Sequence, residues 1–151
     1  MKEISLNILD IAENSITAGS SQVKLDVVES KKQNLVYFKI SDNGKGISPD
    51  QLEQVTDPYV TSRSTRKTGM GIPLLKYHAE SAGGKIKISS EQEKGTQVSA
   101  WFTKDHVDRQ PIGDLPGILK HLLRLSDQVE FIFRYETDIG NFVFSSEETK
   151  K

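Results

Sequence analysis

The sequence predicts an α+β fold from three observations. Two segments carry apolar residues at helical spacing, two pairs of short segments alternate apolar and polar residues across polar turns, and a long polar stretch separates the first helix and hairpin from the second. Up to Phe102 the order is helix, hairpin, loop, helix, hairpin, with elements grouped rather than in a regular strand–helix repeat.

Each element follows from local pattern. Between Glu3 and Thr17, Ile4, Ile8, Ile11, Ala12 and Ile16 form one strip of a helix, while Glu3, Asn7, Asp10 and Asn14 form a polar strip opposite; Ala18-Gly19-Ser20 supplies the stop. Val23 to Val27 and Leu35 to Ile40 alternate around a polar turn and read as a hairpin. The second strand runs into Asp42-Asn43-Gly44-Lys45-Gly46, where two glycines let the backbone bend and let something approach it. Residues 56–71 are rich in Thr, Ser, Arg and Gly and read as a loop, with helical spacing resuming at Pro73 and ending at Gly83-Gly84. Lys85 to Ser89 and Gln97 to Phe102 form a second hairpin around Glu93-Lys94-Gly95. Asp114 caps a third helix with Pro116 in its first turn and Ile118, Leu119, Leu122, Leu123 and Leu125 on its buried side. Val129 to Tyr135 and Phe142 to Phe144 make a third hairpin, which is too small to bury its four Phe alone and must pack on the main body or a partner.

Composition removes several classes of function. The 151 residues hold 20 Lys plus Arg against 21 Asp plus Glu, a net charge of −1, so nucleic acid is disfavoured as a partner unless a local patch provides the field. With no Cys, disulfides, thiolate metal sites and Cys nucleophiles are excluded. His78, His106 and His121 lack metal-ligand spacing and are assigned no role. No long apolar run appears, so the expectation is a cytoplasmic protein with no membrane partner.

Three groups of residues can carry chemistry. Asn14 offers an amide oxygen suited to a hard cation such as Mg2+, and Asp10, one helical turn away, can orient or deprotonate a water or hydroxyl; alone, the pair is equally a solvated helix face. Asp42, at a strand end before two glycines, can accept from an exocyclic amine such as that of adenine, although Asp-Asn-Gly is also an ordinary turn. Gly69-Met70-Gly71 before a helix exposes free amides suited to phosphate, with Thr61, Ser62, Arg63, Ser64, Arg66 and Lys67 adding hydroxyls and cations upstream. Neither a P-loop nor a G-x-G-x-x-G pattern is present, and no hydrolase nucleophile motif appears.

Taken in order, these pieces resemble the Bergerat-fold (GHKL) ATPases, the superfamily of gyrase, the heat-shock chaperone, histidine kinases and MutL. Leu9 to Gly19 is similar to the N box, Asp42 to Ile47 to the first glycine box, Thr68 to Leu74 to the second, and Lys94-Gly95-Thr96 to the closing glycine-threonine motif. The resemblance covers roughly residues 5 to 102. It implies a two-layer α/β sandwich, a mixed, mostly antiparallel sheet covered on one face by helices. It further implies that Asn14 ligates Mg2+ on the phosphates of ATP, that Asp42 binds the adenine amine, and that Gly44, Gly46 and Ile47 let the base approach. Thr68, Gly69, Met70 and Gly71 would wrap the phosphates, Thr61 and Arg63 would reach them, and Thr96 would support the adenine side. Asp10 holds the position of the general base of the ATPases and serine kinases, four before Asn14.

The N box resembles that of MutL, whereas Pro58 to Arg63 and the lid resemble histidine kinases and anti-sigma serine kinases. The three His precede Ala79, Val107 and Leu122, so no His followed by an acidic residue is present to serve as a phosphoacceptor. The expectation is a stand-alone histidine-kinase-like ATP-binding domain over 1–104 with a helix and hairpin extension over 105–151, frayed from about 145. It would phosphorylate a separate protein or hydrolyse ATP slowly; the alternative is an ATP-dependent switch that regulates a protein partner without turnover. A homodimer stays open, and the C-terminal hairpin is expected to replace the family's missing N-terminal strand or to dock a partner.

Overall fold

A computed structural model of the chain describes residues 3–46, 68–107, 109–125 and 128–145. Six strands form one sheet, β1 (Gln22–Ser30), β2 (Leu35–Asp42), β3 (Lys85–Glu91), β4 (Gly95–Thr103), β5 (Glu130–Thr137) and β6 (Gly140–Ser145), in the spatial order β3-β4-β2-β1-β5-β6. Every neighbouring pair is antiparallel except β1 and β5, which run parallel from Gln22 opposite Glu130 to Glu29 opposite Thr137. Three helices accompany the sheet: α1 (Ile4–Thr17), α2 (Thr68–Ser81) and α3 (Leu115–Leu125). This is the expected α+β arrangement. None of the described helices is long and apolar enough to cross a membrane.

Period-two alternation sends Val23, Leu25 and Val27 of β1, Val36, Phe38 and Ile40 of β2, and Val98, Ala100 and Phe102 of β4 to one face of the sheet. There they meet Ile4, Ile8 and Ile11 of α1 and Leu75, Ala79 and Ala82 at the end of α2, and Phe38 stacks on Phe102 at 6.3 Å between ring centres. Complete burial of one such side chain is worth ~1.5–3 kcal/mol, so this face is the main source of cohesion.

Four local readings change. Asn7 belongs to the polar strip by spacing but is fully buried, its amide donating to Gln110 Oε1 at 3.0 Å. The polar run before α3 folds back onto the start of α1: Pro111 and Ile112 carbonyls accept from the Ile4 and Ser5 N–H groups at 2.9 and 2.8 Å. They satisfy helix-start donors that no side chain caps. Helix α2 begins at Thr68 rather than at Pro73, which stands sixth in the helix, where its missing N–H costs one backbone bond. Leu125, expected on the buried side of α3, is 46% exposed at the last turn, while Leu115, Ile118 and Leu122 are buried; Gly117 N–H donates to the capping Asp114 at 3.0 Å.

The third hairpin extends the sheet beyond β1. Phe131 and Phe133 enter the main core, Phe144 packs against it, and Phe142 is left largely exposed. Its turn is clasped to the β1–β2 turn: Asp138 accepts from Ser30 Oγ at 2.7 Å and from the Lys31 and Lys32 N–H groups at 2.7 and 3.2 Å. Glu29 accepts from Tyr135 Oη and Lys104 Nζ, both at 2.6 Å. Removing residues 128–151 strips two buried Phe and opens the backbone of β1, a loss of at least ~3 kcal/mol from the side chains alone. The truncated chain should show no cooperative thermal transition; a folded, monodisperse product would contradict this coupling.

Candidate functional site

The site is assembled around the C-terminal end of β2. Asp42 is its last residue and stands opposite Thr96 of β4 in the register. Its Oδ2 accepts from Ser15 Oγ of α1 at 2.6 Å and its Oδ1 from the Gly44 N–H at 2.9 Å. Both carboxylate oxygens are therefore fixed in direction, and each keeps a lone pair for a further donor. An exocyclic amine can be gripped there, while a carbonyl at the same place would be repelled.

The turn after Asp42 is held from several sides. Asn43 Oδ1 accepts from the Ser21 and Gln22 N–H groups at 2.8 and 3.0 Å, Lys45 N–H donates to the Ala18 carbonyl at 3.0 Å, and Glu93 N–H donates to the Lys45 carbonyl at 2.7 Å. Three glycines make these approaches possible. A Cβ on Gly44 would come within 2.8 Å of Ser20 Oγ and 2.9 Å of the Ala18 carbonyl oxygen. Gly46, at φ +74°, faces the Glu91 carbonyl, and Gly95, at φ +134°, lies against the carbonyl of Asp42 itself. Gly95→Ala should therefore cost at least ~2–3 kcal/mol, from a left-handed backbone plus a backbone clash. A drop in denaturation midpoint with a weakened grip on Asp42 is the expected result; wild-type stability would refute the packing.

Asp10 and Asn14 lie one turn apart on α1, both partly buried. Burial, and secondarily the neighbouring Glu13 charge, raise the Asp10 carboxyl to a pKa of about 6. Asp10 Oδ2 is buried with no hydrogen-bond partner among the described residues, as is Asn7 Oδ1 one turn earlier. A carboxyl in this state can accept a proton near neutral pH and has coordination capacity left over. Among the described residues no three acidic or His side chains cluster, so a cation here would draw most of its oxygen ligands from elsewhere.

Thr68, Gly69, Met70 and Gly71 are the first four residues of α2 rather than a loop before it. They are the four whose N–H groups find no acceptor within a helix, so the capacity to hold an anion is retained. α2 packs against α1. Ile47, Thr61 and Arg63, with Ser62, Ser64, Arg66 and Lys67, lie outside the described residues. Thr96 is partly buried, its hydroxyl 2.8 Å from that of Ser90.

The structure thus brings the first, second and fourth sequence motifs together at Asp42. Sequence reasoning missed Ser15, which bridges α1 to the end of β2, and Gln110, which holds Asn7. The signal for Ser15 was available: it continues the core-facing steps of Ile8, Ile11 and Ala12, and a hydroxyl at such a position needs a partner.

A family model described as "Histidine kinase-, DNA gyrase B-, and HSP90-like ATPase" matches residues 1–106. The sensor histidine kinase ZraS of Escherichia coli K12 is 29% identical over 106 residues, 70% of this chain and 23% of that protein. ZraS of Salmonella typhimurium is 35% identical over 63% of this chain and 20% of its own length, and sporulation kinase D of Bacillus subtilis 34% over 61% and 18%. The chain thus spans 18 to 23% of the length of these relatives. Among solved structures, the N-terminal domain of a DNA repair protein matches 95% of the chain and 52% of its own at a TM-score of 0.56, with 14% identity. The Aquifex aeolicus MutL ATPase domain complexed with ADP matches 90% and 60% at 0.52, with 16% identity. At these identities the structural likeness concerns the fold.

Proposed function

The chain belongs to the family of histidine kinase-, DNA gyrase B- and HSP90-like ATPases, and from that premise we propose that it binds Mg-ATP and passes the γ-phosphate to Ser, Thr or His on a separate protein or, slowly, to water. The observation that carries this reading is the convergence on Asp42: Ser15 of α1 and the glycine turn donate to one carboxylate whose two oxygens are already oriented, and Thr96 of β4 stands opposite it in the strand register. Adenine would be read by its amine at Asp42, with Gly44 and Gly46 leaving room for the ring. The phosphates would lie over the start of α2, where Thr68 to Gly71 offer backbone donors, with Thr61 and Arg63 adding side-chain contacts.

The donor set fits Mg2+. Asn14 would supply an amide oxygen, and Asp10 Oδ2, without a hydrogen-bond partner among the described residues, can hold a water of the ion's shell. Bound there, the ion would neutralise phosphate charge and offset its repulsion of an incoming nucleophile. Asp10 itself acts on the proton: ionised above pH 6, it accepts the hydrogen of the attacking hydroxyl or water. The 151 residues contain no His followed by an acidic residue, which supports an acceptor outside them.

Labelled γ-phosphate followed with the purified protein and cell lysate distinguishes the outcomes. Transfer to a second protein supports the kinase and release of phosphate the ATPase. ATP binding with neither would replace the proposal by an ATP-driven conformational switch acting on a partner.

A further inference from the structure

Among the described residues, helices cover only one face of the sheet; on the other, β3, β4 and β2 align their outward side chains into rows. One row reads Lys85, Trp101, Tyr37 and the next Lys87, Ser99, Lys39. Tyr37 and Trp101 pair at 5.1 Å between ring centres, Lys85 Nζ lies 5.0 Å from the Trp101 ring, and the Tyr37 hydroxyl is 3.5 Å from Ser99 Oγ. Lys85 and Lys87 are exposed, and Lys39, Tyr37 and Trp101 partly so. These rows contain no carboxylate; Asp26, beside Lys39 on β1, is the first one met. A chain of net charge −1 therefore presents a patch of three cations around two aromatic rings.

We propose that this uncovered face binds single-stranded RNA. Strands ~4.8 Å apart and alternate residues ~6.8 Å apart give a platform on the order of 10 by 14 Å, room for about two stacked nucleotides. Aromatic rings tolerate any base, and lysines beside them meet the phosphates. An acidic peptide would use the lysines and leave the ring pair idle; stacked bases use both. The third row, Ser89, Gln97 and Ser41, adds groups that donate and accept, which suits the 2′-hydroxyl of RNA. A chain of net charge −1 can meet nucleic acid only through a local patch, and these rows form one. The proposal is independent of the nucleotide reading.

Trp101 is the single tryptophan of the chain, so its emission reports this face alone. Titration of the full chain with an oligouridylate of about ten nucleotides, at low salt and without ATP, should quench it saturably. Log affinity should fall with log salt at a slope of about −2, as three neutralised phosphates require. The Lys39→Glu/Lys87→Glu double variant should raise the Kd at least tenfold, whereas Lys120→Glu on α3 should not move it. Absence of quenching, equal quenching by polyglutamate, or equal affinity for oligothymidylate would overturn the proposal. Asp42→Asn should leave the RNA response intact; its loss would place RNA in the nucleotide pocket and refute the face.

Discussion

Replacing Asp42 by Asn should lower ATP affinity about 10- to 150-fold while leaving the fold in place. The carboxylate offers lone pairs only, and the proposed adenine amine needs an acceptor; an amide turned with its NH2 toward the base presents donor to donor. A hydrogen bond to a charged group is worth ~1.5–3 kcal/mol, and each 1.4 kcal/mol is tenfold in Kd. The fold should survive because the remaining amide oxygen still accepts from the Gly44 N–H, and the Ser15 hydroxyl can reverse and accept from the new NH2. Titration calorimetry with thermal melting in parallel checks both halves. Undiminished affinity in a folded variant would mean that the base lies elsewhere.

Asp10→Asn should do the opposite, sparing ATP affinity while reducing phosphate transfer or release by ~10²–10⁴-fold, the range for loss of a general base. In the wild type, turnover should climb as pH rises through about 6 and then level off, because the proposed base would act in its ionised form. The variant's residual rate should lack that climb. Stability runs with the other sign. A carboxyl whose folded pKa lies above the ordinary 3.8 contributes most below pH 4, and that contribution is lost as pH rises through about 6. At pH 8 the Asn variant should therefore be more stable than the wild type, by on the order of 1 kcal/mol, since the half-exposed group is partly screened. Equal losses of affinity and turnover would make Asp10 a binding residue instead.

What could be read from the sequence were features with a local period or a short spacing. The strips of α1 placed Asp10 and Asn14 one turn apart, alternation gave the three hairpins, and Asp42 with its glycines stood out as a strand end needing close approach. What escaped depended on pairings across long chain separations. Nothing near Gln110 to Ile112 announces that their carbonyls and amide complete the start of α1 a hundred residues away. The parallel pairing of β5 with β1 is likewise set by the tertiary burial of Phe131 and Phe133, not by a turn. The start of α2 was displaced because Pro73 reads as a boundary, whereas the helix runs through it from Thr68. The uncovered lysine and aromatic rows become visible only once three strands are in register.

On the proposed reading, the carboxylate ending β2 and the polar strip of α1 hold the two ends of one adenine nucleotide. Calorimetry of the wild-type protein with ATP and with GTP, each in millimolar magnesium, decides whether they do. Saturable heat with ATP and at least tenfold weaker binding of GTP is the predicted result. No saturation by ATP at millimolar concentration, or equal affinity for both nucleotides, would contradict it.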